Sequence, residues 1–173
     1  MKIEDSVHLK GEILIQAVSL DGTVSTIVDD KNLIVSSGRN NLCNSLVGTS
    51  SSYISGVSFG TGGTIVGNSN VATSVSANET TLRTPIDGLQ NNRDYLFTPR
   101  AEVFPSPRAV FSITVPASTL SGQSFVTLLN GKAISELALM LNTTPLSAFA
   151  IKRFPSISKS DTISLIINWT IYV

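Results

Sequence analysis

Hydrophobic and polar side chains alternate one by one along the final stretch of the chain, residues 162–173. Its apolar members occupy every second position: Ile163, Leu165, Ile167, Trp169, Ile171 and Val173. Alternation with a period of two is typical of a β-strand that buries one face. Two further apolar runs, residues 134–141 and 148–154, precede it and are separated by turn-rich breaks. The pattern therefore predicts three strands in this part of the chain.

Similar short apolar runs predict strands in the first two thirds of the chain. They cover residues 7–17, 24–28, 33–35, 53–59 and 109–115. The Asp21-Gly22 pair between the first two runs is a strong hairpin signal. Residues 87–107 are irregular, and Pro105 and Pro107 favour a turn followed by an edge strand.

One segment just before Gly48 has helical rather than strand periodicity. Leu42 and Leu46 are four positions apart, which places them on one helix face. Ser36 or Ser37 can cap the start of this helix, and Gly48 is a natural residue to follow its end. A helix of about ten residues is marginal alone, so we expect it to dock Leu42 and Leu46 against a sheet.

Residues 61–81 are rich in Ser, Thr, Asn and Gly and carry few large side chains. A structureless stretch of this length in a compact domain is usually a functional loop or an arm. Many short strands, frequent turn signals and one short helix together predict the fold class. It is mainly β, an antiparallel β-sandwich, jelly-roll-like, with one short α-helix. We expect a single domain over residues 1–173, with a polar loop or arm at about 61–81.

The composition predicts a weakly charged surface. Charged residues make up 14% of the chain, against about 25% in an average soluble domain, and twelve basic residues balance twelve acidic ones. Because net charge keeps free monomers soluble, this balance suits a protein that packs against copies or partners, although an ordinary β-rich domain would also fit. Scattered Lys and Arg residues argue against nucleic-acid binding. No run approaches the about 18 apolar residues of a membrane span, and the first residues lack the apolar core of a signal peptide.

Two glycine-containing motifs resemble enzyme signatures. Residues 56–60 match the nucleophile elbow of α/β-hydrolases, but a polar loop follows instead of a helix, and the single histidine, His8, precedes Ser58. Residues 60–64, Gly-Thr-Gly-Gly-Thr, lack the lysine and the helix of a phosphate-binding loop. We therefore interpret Ser58 as an outward-facing strand residue and the glycines as a tight turn. No catalytic residue, cofactor or metal site is predicted, because one His and one Cys (Cys43) far apart make no such site.

A lone carboxylate, Glu136, lies in the apolar run at 134–141. Lys152 and Arg153 on the next predicted strand are candidate partners across the sheet. A glycoside hydrolase would need a second carboxylate facing Glu136, and the nearest in sequence, Asp161, lies in a turn. Structural pairing is the favoured interpretation.

Several phrases of the sequence resemble a family of small virion proteins of tailed bacteriophages. The shared positions are Gly11-Glu12, Asp21-Gly22, 32–35, 38–42, Tyr53-Ile54, Val57, 59–64, Ile134, Glu136-Leu137, Phe149-Ala150, Lys152, Phe154-Pro155, Ile157, Lys159, Ser164-Leu165 and 169–171. The similarity covers both ends and the middle, and it is weak between residues 65 and 108. A more distant similarity is to the N-terminal docking domain of phage tail-fibre proteins. Its Glu-x-Gly-Leu-Phe strand is replaced here by residues 136–140.

The resemblance implies a non-enzymatic structural protein of the virion. It would be a repeated subunit docking on the tail, baseplate and fibre apparatus or on the neck; a capsid decoration protein on the head is the alternative within this class. The implied partners are copies of the chain and other virion proteins, with no nucleic acid and no membrane, after synthesis in the host bacterial cytoplasm. The candidate interface residues are Glu136, Lys152, Arg153, Trp169 and Tyr172.

A receptor- or carbohydrate-binding module is a further alternative. Sugar sites use exposed aromatic rings flanked by Asn and Asp. The candidates for such a site are Tyr95, Phe97, Tyr172, Asn91, Asn92 and Asp94. Aromatic residues make up only 6% of the chain, which is little for that role.

Overall fold

A computed structural model of the chain describes residues 9–86, 96–103, 107–117 and 129–173. Within these ranges the chain forms ten strands and one helix. The elements are β1 (Lys10–Ser19), β2 (Val24–Ile34), α1 (Ser36–Leu46), β3 (Ile54–Gly60), β4 (Thr64–Ile65), β5 (Asn68–Ala72), β6 (Leu96–Glu102), β7 (Arg108–Val115), β8 (Ala133–Leu141), β9 (Ala148–Ser158) and β10 (Ile163–Tyr172). No helix among the described residues is both long enough and apolar enough to cross a membrane.

Eight of these strands form one antiparallel sheet in the order β3-β8-β9-β2-β1-β10-β7-β6, and β4 and β5 form a separate hairpin. β2 pairs with β1 along most of its length, but it pairs with β9 only at Leu33 and Ile34. Buried apolar side chains from seven of the eight strands meet in one core, against which Phe97 of β6 packs, and the sheet is nearly closed around this core. The prediction of a mainly β, antiparallel fold with one short helix is confirmed. Eight of the ten described strands belong to one continuous sheet.

The strand predicted from the strict alternation at the end of the sequence, β10, is a central strand of the sheet. β10 lies between β1 and β7, where Trp169 pairs with Ile13 on one side and Phe111 on the other. The four inward side chains at 165, 167, 169 and 171 are at most 3% exposed. Burying a large apolar side chain stabilises a fold by about 1.5–3 kcal/mol, so this row is a major part of the core.

Two strands differ from the predictions in their extent, and β4 and β5 lie within residues 61–81, where a structureless loop or arm was expected. The runs at 24–28 and 33–35 belong to one strand, β2, because the polar residues between them keep pairing with β1. β9 continues through Pro155 to Ser158, where a turn was expected. Proline lacks an N–H and is tolerated where no ladder bond is required. Beyond Ile151, β9 pairs with β8 but no longer with β2. No ladder hydrogen bond to β2 is therefore required at Pro155.

The other strand predictions agree with the described residues. The Asp21-Gly22 hairpin is confirmed, with Gly22 at φ +84°. The predicted edge strand within 87–107 is β6, which pairs with β7 alone among the described strands. Of the first predicted strand, positions 7 and 8 lie outside the described residues, and the inward face of its remainder is buried at Ile13 and Ile15.

The helix has the predicted position but a different contact with the sheet. Its buried residue is Gly38, where a Cβ would lie 2.2 Å from the carbonyl oxygen of Phe149. The missing side chain lets the helix backbone approach β9 closely. Ser37 Oγ donates a hydrogen bond to the carbonyl oxygen of Ala148 at 2.5 Å.

The predicted docking through Leu42 and Leu46 is wrong for Leu46, which is 80% exposed, while Leu42 is half-buried. The N-cap is Val35, with no side-chain cap, so neither predicted serine has that role. Close backbone packing at Gly38 replaces the expected apolar stripe. Gly48 follows the helix at φ +73°, as predicted.

Candidate functional site

Residues 61–86 cover the outer face of β8 and β9. After the β4–β5 hairpin the chain returns along the sheet, and Pro85 forms a bridge to Gly60 at the end of β3. Leu82 is 5% exposed and packs in a second small core with residues that include Ala138 and Met140. The polar segment at 61–81 is therefore packed against the sheet over part of its length.

Glu136 is buried beneath this segment and anchors it. Its Oε1 accepts hydrogen bonds from the backbone N–H groups of Gly62 at 3.1 Å and Thr84 at 2.8 Å. Its Oε2 accepts from the N–H of Arg83 at 3.2 Å and from Nε of Arg153 at 3.4 Å. The side chain is fully buried, and all four partners are donors. A carboxylate held in this way stabilises two chain segments and presents no free face to a substrate.

The side chain of Arg153 is also fully buried and completes the network. It forms ion pairs with Glu136 and Glu79 and donates a hydrogen bond from Nη1 to the carbonyl oxygen of Ser74 at 2.5 Å. Burial acts to raise the pKa of Glu79, but hydrogen bonds from Arg153 and the backbone outweigh it, so the pKa lies below its ordinary value. The predicted cross-strand pairing of Glu136 with Arg153 is confirmed.

The glycine-rich segment at 60–64 is shaped by the same network. A Cβ on Gly63 would lie 1.9 Å from the carbonyl oxygen of Ser135, and one on Gly60 would lie 2.6 Å from Glu136 Oε1. The N–H of Gly63 donates to Ser135 Oγ at 3.0 Å. The chain bends at residues 61 and 63 rather than forming a hydrogen-bonded turn, and the glycines there allow close packing on Ser135 and Glu136. Ser58, which was expected to be exposed on the outer face, lies opposite Ala138 and is only 1% exposed. It is buried because the returning segment covers this face of the sheet.

Lys152 lies on the other side of β9 from Arg153. Its Nζ donates to Asp30 Oδ2 at 2.5 Å and to the carbonyl oxygen of Lys31 at 2.8 Å. The hydrogen bond from Lys152 lowers the pKa of Asp30. These contacts connect β9 to β2 where the two strands stop pairing, beside a recess of about 570 Å³ with a polar rim.

The five candidate interface residues therefore divide into two groups. Glu136, Arg153 and Trp169 are buried within the chain, so their side chains contact its own residues, which corrects the expectation that they face a partner. Lys152 and Tyr172 are half-buried and reach the surface. The Tyr172 hydroxyl donates to a Glu12 carboxylate oxygen at 2.8 Å, which raises the pKa of Tyr172.

Few of the candidate sugar-binding residues lie within the described part of the chain. Residues 91–95, with Asn91, Asn92, Asp94 and Tyr95, are outside it. Phe97 stacks on Phe111 with ring centroids 5.8 Å apart, so its ring is part of the core packing. Among the described residues, no group of three or more His, Cys, Asp or Glu side chains could hold a metal ion.

The end of the sheet next to α1, which we name the helix end, carries several exposed apolar side chains. The pairing registers place the first residues of β1, β3, β7 and β9 there. The exposed large apolar or aromatic side chains in this region are Leu46, Val47, Tyr53, Val103 and Val173, each 52–80% exposed. Clustered exposed apolar surface on a soluble domain is typical of an interaction site.

A groove of about 240 Å³ opens at the helix end between α1 and the strand ends. Its apolar lining consists of Leu9, Leu42, Ile54, Ala109, Phe111, Phe149, Ile171 and Val173. Asn41, Ser45 and Ser52 supply its polar lining, and none of the described residues that line it has an ionisable side chain. The half-buried Leu42 is thus a wall of this groove.

Comparison with protein-family models, curated proteins and solved structures found no match to this chain. The role of the protein is therefore inferred from the sequence resemblance and from the geometry of its surfaces.

Proposed function

We propose that this chain is a non-enzymatic structural subunit of a tailed-bacteriophage virion, which docks on the tail, baseplate and fibre apparatus or on the neck. The observation that supports docking is the helix end, which has five exposed large side chains and an apolar groove whose described lining contains no ionisable side chain. The groove loses little desolvation energy when another protein fills it, since none of its described lining residues has a charged side chain.

The positions shared with the phage family support a structural role for this chain. Gly60, Gly63 and Glu136 belong to the buried network, and Trp169 lies in the main core. These residues hold the chain together and leave the exposed surface for contacts with partners. Their burial explains the motifs without chemistry at an active site.

The energetics suit a subunit that is present in many copies. Covering one exposed large apolar side chain contributes about 1.5–3 kcal/mol at most. Five partly exposed side chains together approach the 4–15 kcal/mol that association costs in lost freedom. A single contact of this size is weak, but subunits held in an array gain from high effective concentration. We therefore propose repeated subunits in the assembled particle.

A jelly-roll-like sandwich is our proposal for the finer description of the fold. β2 divides the sheet into a half with β3, β8 and β9 and a half with β1, β10, β7 and β6. Both halves contribute side chains to one core, as the two layers of a sandwich do.

The position on the particle can be tested by labelling. An antibody raised against the purified chain is applied to intact particles of the phage that encodes it, and gold-labelled complexes are imaged by electron microscopy. Label on the tail, baseplate or neck is the expected result. Label confined to the head would instead assign the chain as a capsid decoration protein. Absence of label, combined with absence of the chain from denatured particles, would refute the virion proposal.

A further inference from the structure

We propose, building on the virion role above, that copies of this chain join head to tail, with the β4–β5 hairpin tip of one copy in the helix-end groove of the next. The hairpin tip carries the most exposed apolar side chain of the described residues, Val66, which is 101% exposed. Ile65 beside it is 48% exposed, and Val71 on β5 is 41% exposed. Three such side chains on a two-stranded hairpin form a protruding apolar knob.

The base of the hairpin is fixed, so the knob is presented in one orientation. Thr73 donates to the carbonyl oxygen of Gly63 from its backbone N–H at 2.8 Å and from its Oγ1 at 3.1 Å. Gly63 is itself held against Ser135, and Gly67 makes the turn at φ +82°. A knob that is already ordered loses little conformational entropy when it binds.

The helix-end groove matches the knob in size and in charge. At about 240 Å³ it is smaller than the roughly 300–1,000 Å³ of small-molecule sites, so it suits one or two aliphatic side chains. Residues 64–69 of the hairpin contain no ionisable side chain, and the described lining of the groove contains none either. No charged side chain of residues 64–69 or of the described groove lining is desolvated on contact. The chain has a formal net charge of +0, so copies do not repel one another strongly.

Knob and groove lie at different places on the molecule. β3 begins at the helix end with Ile54 and finishes at the opposite end with Gly60, from which the chain continues into the hairpin. Contact between two different surfaces is heterologous, and repeating it produces a ring or a filament rather than a two-fold dimer. A knob of three side chains buries less than the 1,200–2,000 Å² or so of a stable interface. We therefore expect weak association in solution that strengthens in an array.

Disulfide trapping tests this contact directly. In a Cys43→Ser background, Val66→Cys places a thiol on the knob, and Ser45→Cys places one on the groove. Mild oxidation at high protein concentration is followed by non-reducing gel electrophoresis. The matched control combines Val66→Cys with Ser25→Cys, an exposed position on β2. We expect a ladder of covalent oligomers for the knob and groove pair, formed at least about tenfold faster than for the control.

Equal ladders in both double variants, or dimers through Val66 alone, would overturn the inference. A second arm uses Val66→Asp and Ser45→Glu in sedimentation velocity at the same concentrations, and each should weaken self-association by about tenfold. If Ser45→Glu prevents binding to virions while Val66→Asp does not, the groove receives another protein and the head-to-tail contact is wrong. If the chain binds virions but forms no ladder, the head-to-tail contact is wrong and the proposed function stands. If it forms a ladder but does not bind virions, the proposed function is refuted and the head-to-tail contact stands.

Discussion

Replacing Glu136 by Gln tests the claim that this carboxylate holds residues 61–86 on the sheet. The substitution keeps the shape of the side chain but exchanges one oxygen for an NH₂ group. That group would face two N–H donors, either those of Gly62 and Thr84 or those of Arg83 and Arg153. Two of the four hydrogen bonds are lost, and two buried donors are left without an acceptor.

The magnitude follows from the burial of the site. A hydrogen bond to a charged group contributes about 1.5–3 kcal/mol, and breaking a buried ion pair from one side costs about 3–5 kcal/mol. Since Glu136 is fully buried, little water is available to compensate. We expect Glu136→Gln to lower the free energy of unfolding by about 3–5 kcal/mol, a large part of the about 5–15 kcal/mol of an ordinary domain.

Urea denaturation followed by tryptophan fluorescence measures this loss, and Asp30→Asn provides the matched control. Asp30 also pairs with a lysine, Lys152, but it is 63% exposed. The control should therefore cost less than about 1 kcal/mol. Hydrogen exchange adds a local measurement, because the amides that bond to Glu136 should lose protection first. A loss below about 1 kcal/mol for Glu136→Gln, with these amides still protected, would show that the carboxylate does not anchor the segment.

Three further predictions concern other parts of the fold. Gly38→Ala should lower the free energy of unfolding by about 1–3 kcal/mol in urea denaturation, because its Cβ would meet the Phe149 carbonyl oxygen at 2.2 Å. This loss is expected despite the helix preference of Ala. The control, Asn40→Ala on the exposed side of α1, should be neutral. Burial lowers the pKa of Lys159, so the unfolded chain binds more protons than the folded chain in the alkaline range. The free energy of unfolding of the wild type, relative to that of Lys159→Met, should therefore rise with pH towards about 10.4. A difference that stays flat or falls with pH would contradict this. The pKa of Glu79 is lowered, so its contribution to stability should be lost as pH falls below about 4.3, and Glu79→Gln should flatten the acid limb of a stability profile against pH.

Alternation in the sequence was sufficient to predict the strands that form the core. In β7 and β10, one face is buried and the other is not, so the period of two remains visible in the residue order. The runs in β8 gave no such alternation, because both of its faces are covered, one by the main core and the other by residues 61–86. That second cover depends on contacts between positions about 50 to 80 apart, which no local pattern reports.

The buried network was predictable in part. A carboxylate in an apolar run, with basic residues on the next strand, correctly indicated that Glu136 pairs with Arg153. The contributions of Glu79 and Gly63 were missed, since they depend on where the polar segment returns to the sheet. Consecutive glycines next to a strand were the available signal for close backbone packing.

The helix was predicted in place but not in orientation. Leu42 and Leu46 have the spacing of a buried stripe, yet the contact with β9 is made at Gly38, which no measure of hydrophobicity would select. In the sequence, the apolar Leu46-Val47 pair before Gly48 is compatible both with an exposed surface and with a core contact. Only the packing of α1 on the sheet distinguishes the two.

Incorporation into particles shows whether the chain is a virion subunit that docks through the helix end. The phage that encodes the chain is deprived of its own copy and supplied with either the wild-type chain or a Leu46→Glu, Val47→Glu double variant, both shown to be folded by circular dichroism. Gradient-purified particles are then analysed by quantitative mass spectrometry. We expect the wild-type chain to be recovered with the particles in many copies, while the double variant accumulates in the lysate and is depleted from them. Equal recovery of both chains would contradict docking through the helix end, and absence of both from the particles would contradict the virion role itself.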